Sequence, residues 1–236
     1  MPVTVNIRRG SARFVDRAAG RVTHHAFAFG SHYDAEHVSF GPLVCHDDHL
    51  LGSGQGFDEH RHADLEIVTW VVAGAVEHRD SSGARTVVEA GSVAVLSAGS
   101  GVSHSEHATA DGPARFIQMW LTPEAPSEAP SDVTSEVTGA EPSYAVDRVA
   151  LPPNELVAVA SPRSDSVLSV VRLDGRSSVT LPAAPRVHVF VASGALLRSS
   201  LAEPLSTGDA FLMTDEPEHH VAAGVPTELL VWTFSS

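Results

Sequence analysis

Apolar and polar residues alternate with a period of two in most patterned segments of this chain, and no long stretch carries the 3.6-residue period of a helix. Residues 3–7 read as an edge strand, residues 8–20 as a basic, polar hairpin or loop at the surface, and residues 23–30 as a second alternating segment. Residues 43–46 read as a strand, Asp47-Asp48-His49 as a turn, and residues 50–56 as a glycine-rich connection. The run Ile67-Val68-Thr69-Trp70-Val71-Val72 is β-branched and aromatic, which predicts a well-buried strand. Residues 75–78 and 85–88 flank Asp80-Ser81-Ser82-Gly83 as a hairpin, with His78 as a cross-strand partner at its mouth. Residues 92–96 and 115–121 complete the first set of strands.

Residues 123–142, PEAPSEAPSDVTSEVTGAEP, are rich in proline, serine and acid and have no period, so they read as a linker between residues 1–122 and 143–236. The second half echoes the first. Aligning Gly74 with Gly194 and Gly91 with Gly208 brings residues 67–73 onto 187–193 and 92–96 onto 209–213, and a tryptophan strand follows in each half, at Trp120 and Trp232. The expectation is an all-β chain of two similar units.

Composition narrows the function classes. A net charge of −14 argues against direct contact with a nucleic-acid backbone. Cys45 is the single cysteine, so no intrachain disulfide can form. No apolar run approaches a membrane span and no secretory signal is visible, so the expected setting is cytoplasmic, with no membrane partner.

Two pairs of candidate ligands bracket the first set of strands: His60-Arg61-His62 and His104-Ser105-Glu106. Residues two apart on a strand point to one face, so each pair can aim two donor atoms at one point. Three imidazoles and a carboxylate suit a borderline divalent metal such as Fe, Mn, Co, Ni, Cu or Zn. In a chain with 14 histidines a lone His-x-His arises readily by chance, and it is the second pair that gives the first its weight. Glu66 is a rival carboxylate, four residues past His62 and of the same strand parity. In the second half Thr180 and Pro182 fall where His60 and His62 stand, so that unit is expected to be metal-free, with His188, His219 and His220 as bystanders.

At these residues the sequence resembles the pirin family of two-domain cupins. The resemblance is carried by Phe40-Gly41-Pro42-Leu43, Asp47-Asp48, His60-x-His62, Glu66-Ile67-Val68-Thr69, Glu77-His78-Arg79-Asp80-Ser81 and His104-Ser105-Glu106. It is specific in the first half and weak in the second. It implies a bicupin: two β-sandwich barrels (double-stranded β-helices) packed side by side, a metal-binding domain at 1–122 and a degenerate one at 143–236. By the family pattern His60, His62, His104 and Glu106 are the ligands of one divalent transition metal, Fe(II) foremost, and Glu106 rather than Glu66 is the carboxylate. The implied activity is a quercetin 2,3-dioxygenase-like oxidoreductase that opens a flavonol or related phenolic enol with O2, Glu106 taking the hydroxyl proton, in a monomer. The alternatives are a non-catalytic, metal-bound regulatory protein with a protein partner, or a cupin of another reaction class such as an isomerase. Arg61 replaces the family's proline, Ala63 its basic residue and Ser92 its acid. None of these changes removes a ligand; Arg61 and Ala63, of opposite strand parity to the ligands, are expected on the outer face or the site rim.

Overall fold

The computed structural model describes residues 4–124 and 140–235. Of the expected linker, residues 125–139 lie outside the described residues. No α-helix occurs among the described residues, and no helix is long and apolar enough to cross a membrane.

The first unit is a sandwich. A seven-stranded antiparallel sheet runs in the order Ser143–Arg148, Ser92–Ser97, Glu66–Ala73, Ala114–Leu121, Leu43–Leu51, Arg21–His25, Phe14–Ala18. It faces a four-stranded sheet in the order Gly56–His62, Val102–Ala108, Ala75–Asp80, Arg85–Glu89. In the second unit a six-stranded sheet, Thr4–Arg8, Ala210–Glu216, Ala184–Ser193, Thr227–Phe234, Ser166–Leu173, Val157–Arg163, faces two short two-stranded sheets.

The central strand Glu66–Ala73 explains its own sequence. Val71 packs inside the first sandwich with Phe116, Val76 and Val88, whereas Val68 and Trp70 point the other way, into a core shared with Phe190 and Trp232 of the second unit. Both faces of this strand are therefore dry, and the run has no reason to alternate. Each fully buried large side chain there contributes about 2–3 kcal/mol of apolar transfer. Two polar ties cross the same seam: the Trp70 indole N–H donates to Glu228 Oε1 at 2.9 Å, and the Trp232 indole to Met119 Sδ at 3.1 Å.

Three expectations change. Asp47, Asp48 and His49 are not a turn but the middle of the nine-residue strand Leu43–Leu51. Their polarity misleads because each is satisfied in place: Asp47 by His25, Asp48 by Nε and Nη2 of Arg115 at 2.9 and 2.7 Å, and His49 by Thr23. Residues 8–20 do supply a hairpin strand, Phe14–Ala18 pairing with Arg21–His25, but they are not wholly at the surface, since Arg8 and Arg13 are buried. The boundary between halves is crossed in both directions. Thr4–Arg8 pairs with Ala210–Glu216 in the second sheet, and Ser143–Arg148 pairs with Ser92–Ser97 in the first. Exchanging edge strands covers an open edge on each unit.

The internal repeat is structural. Gly74 and Gly194 both turn with positive φ, +71° and +84°. A Cβ there would lie 2.2 Å from the Pro113 carbonyl oxygen in one unit and 2.3 Å from that of Pro226 in the other. Only glycine fits either place.

Candidate metal centre

The strands Gly56–His62 and Val102–Ala108 pair antiparallel with His60 opposite His104, so three imidazoles converge across the ladder. Ring centroids lie 4.8 Å apart for His60 and His62, 4.5 Å for His60 and His104, and 5.1 Å for His62 and His104. One ring nitrogen from each falls within 4.8 Å of the other two. Glu106 lies two residues past His104 on the same buried face of its strand, and the register shift between them places the extra residue on the partner strand Gly56–His62. Glu106 groups with His104 and His78 and accepts a hydrogen bond from Gln118 Nε2 at 2.8 Å, while Gln118 Oε1 accepts one from the Trp120 indole at 3.0 Å.

Hydrogen bonding leaves donor atoms bare. His60 Nδ1 lies 2.8 Å from the Asp58 carbonyl oxygen, which can only accept, so its proton is on Nδ1 and its lone pair on Nε2. Behind His104 runs a chain: His104 Nδ1 to His78 Nδ1 at 3.4 Å, then His78 Nε2 to Asp80 Oδ2 at 3.4 Å. The carboxylate accepts from His78 Nε2–H, so His78 Nδ1 accepts from His104 Nδ1–H and His104 Nε2 carries the lone pair. Both His62 Nε2 and His104 Nε2 are buried with no hydrogen-bond partner. Buried polar atoms are seldom left so, and here two of them lie together.

Electrostatics match that picture. Burial, then the charges of His60, His78 and His62, lower the His104 pKa to about 3. Burial and then His60 lower that of His62 to about 4. Both rings are neutral at physiological pH, the form in which an imidazole can ligate. Burial raises the Glu106 pKa, against the hydrogen bond from Gln118 and the charge of His60.

Glu66 stands apart from the imidazoles and accepts the Ser97 hydroxyl at 2.6 Å. Its strand parity with His62 is lost because the chain turns between the two sheets at Asp64, where φ is +53°. In the second unit Thr180 pairs with His220 in the place of His60 and His104. His219 is tied to Glu216 at 2.8 Å, and His188 is buried against His46. Among the described residues no group of three potential ligands includes them. Arg61 turns outward and donates to the Ser100 carbonyl at 2.8 Å.

Sequence reasoning missed His78, Asp80 and Gln118. The signal was present for the first two: they are spaced i, i+2, as are the two candidate ligand pairs. His78 is also stacked on Tyr144, centroids 3.8 Å apart, so the exchanged strand from the second half buttresses the site. His78→Phe keeps that stack and removes the hydrogen bond to His104; metal affinity measured by competition with a chelator is expected to fall about 10- to 100-fold. Unchanged affinity would show that His78 only fills space.

A cavity of about 610 Å³ reaches the site at His60 and Glu106, with Phe57 and Trp120 among its walls.

Comparison with known proteins places this arrangement. The Pirin family model matches residues 8–121, which contain every side chain of the site except Tyr144. A Mycobacterium tuberculosis (strain H37Rv) protein that carries the provisional name quercetin 2,3-dioxygenase is 37% identical over 98% of this chain and 96% of its own length. Quercetin 2,3-dioxygenase of Escherichia coli K12 is 28% identical over 88% of this chain and 89% of its own. The crystal structure of the bacterial pirin YhhW from E. coli, in complex with nickel(II), superposes with a TM-score of 0.83 at 28% identity, covering 98% of this chain and 99% of that one. With that extent of identity on one side and the same two packed β-sandwiches on the other, the chain belongs to the pirin family.

Proposed function

We propose that His60, His62, His104 and Glu106 hold one divalent transition metal, Fe(II) in the first place with Ni, Mn, Co, Cu or Zn as substitutes, and that the protein opens the ring of a flavonol such as quercetin, or of a related phenolic enol, with O2. The observation that carries the reading is the pair of orphaned, buried Nε2 atoms of His62 and His104 within a three-imidazole cluster. Neutral nitrogen donors and one carboxylate suit a borderline ion, and four protein ligands on an octahedral ion leave two positions for substrate and O2. The nickel(II) complex of the E. coli relative and the quercetin 2,3-dioxygenase names of other relatives favour the same reading.

Bound there, the ion would act as Lewis acid and template for the substrate oxygen and O2. The chain supplies the rest. Glu106 takes the proton of the enol hydroxyl, since a carboxylate at the ion lies within reach of a substrate oxygen held there. Gln118 fixes the carboxylate by donating to Oε2, and is itself held by Trp120. Phe57 and Trp120 offer aromatic walls to a planar substrate and displace water from it.

The test is aerobic turnover of a flavonol panel by protein loaded separately with each metal. Ring opening by this route consumes O2 and releases CO in equal amounts. Metal-dependent, equimolar O2 uptake and CO release are expected; absence of both with every metal would refute the dioxygenase reading and favour a regulatory role.

A further inference from the structure

The cavity that reaches His60 and Glu106 has another polar wall, which the proposed chemistry leaves unused. Asp16, His25 and Asp47 line it. His25 Nδ1 meets Asp47 Oδ2 at 2.8 Å and Nε2 meets Asp16 Oδ2 at 3.2 Å. His32 Nε2 adds a contact of 3.0 Å to Asp16 Oδ1. His25 and Asp47 are buried, while Asp16 stands at the mouth with its side chain 58% exposed. Burial opposes a charge on His25, but the hydrogen bond and charge of Asp47, then those of Asp16, outweigh it and raise its pKa. Both ring nitrogens face carboxylate oxygens, so the ring donates to Asp47 and to Asp16 and the trio presents acceptor oxygens to the cavity.

A continuous aromatic wall joins this trio to the metal-site histidines. Ring centroids step 4.8 Å from His62 to Trp120, 5.5 Å from Trp120 to Phe29, and 5.2 Å from Phe29 to His25. A planar aryl substrate with one end at His60 and Glu106 would lie along that wall with its other end at the trio. Carboxylates there accept from hydroxyl groups. A buried carboxylate gains most from a donor because water is scarce around it.

We infer that Asp16, His25 and Asp47 form a second substrate anchor, which accepts hydrogen bonds from hydroxyls on the distal ring of a phenolic substrate and so selects polyhydroxylated aryl compounds over unsubstituted ones. This rests on the phenolic-substrate reading of the cavity. It is tested by binding alone, so the two can fail separately.

The probes are 3-hydroxyflavone and 3,3′,4′-trihydroxyflavone, which share the enol and differ only in the distal hydroxyls. Calorimetric titration of the Zn(II)-loaded protein, without turnover, should give about 10- to 100-fold tighter binding of the trihydroxy compound. Asp47→Asn and His25→Gln should reduce that preference to about threefold or less, with binding of 3-hydroxyflavone unchanged. Asp16→Asn at the exposed rim, which puts the fold at least risk, should lower it in the same direction. Equal affinity for the two probes in the wild-type protein, a preference that survives all three changes, or no binding of either probe overturns the anchor. An intact preference without CO release in the turnover assay would leave the anchor standing and remove the dioxygenase.

Discussion

Replacing His104 by alanine is expected to abolish stoichiometric metal binding. His104 is 1% exposed, stands directly opposite His60, and belongs to both donor groups at the site, the one with His60 and His62 and the one with His78 and Glu106. Its loss leaves His60 and His62 as adjacent donors on one strand and leaves His78 Nδ1 without its partner. Two nitrogen donors and a displaced carboxylate do not close a coordination shell, so bound metal should fall from one equivalent per chain to about a tenth or less. Elemental analysis after gel filtration measures this directly. A His104→Ala protein that keeps a full equivalent would place the ion elsewhere. His60→Ala tests the same shell from the opposite strand and should give the same loss.

The second large effect separates the two carboxylates. Glu106→Gln should lower kcat/KM for flavonol turnover by about 10²- to 10⁴-fold, the range for removing a positioned base. Glu66→Gln should change it by about threefold or less, because Glu66 bonds Ser97 and touches none of the imidazoles. Metal content measured on the same samples divides the Glu106 effect between ligation and proton transfer. The reverse order of the two variants would mean that the chain uses the earlier carboxylate, as many single-domain cupins do.

The His-x-His and His-x-Glu spacings were legible because period-two geometry is local: a strand aims alternate residues one way whatever its neighbours are. The burial of the strand Glu66–Ala73 was legible in its β-branched and aromatic run, whereas the second core on its other face depends on residues of the second unit. The paired glycines at 74 and 194 marked the repeat because a positive φ against a neighbouring carbonyl leaves no other residue possible. What failed depended on partners remote in the chain. Asp47-Asp48-His49 has turn composition, and only His25, Thr23 and Arg115, on three neighbouring positions of the sheet, turn those polar groups into buried strand residues. The exchange of Thr4–Arg8 and Ser143–Arg148 between sheets is a pairing choice that no single strand encodes. The kinship in parity between His62 and Glu66 held only until the left-handed turn at Asp64 reset it. Gln118 was invisible as a site residue because its neighbours in sequence, Ile117 and Met119, point into the core between the two units.

The most direct measurement is anomalous diffraction from a crystal of the metal-loaded protein, recorded on either side of the absorption edge of the ion. One peak per chain is expected, within about 2.3 Å of an imidazole nitrogen of each of His60, His62 and His104, with a Glu106 oxygen completing the protein ligands. A peak at Asp34, Glu36 and His37, the other cluster of potential ligands among the described residues, with none between the three imidazoles, would contradict the account.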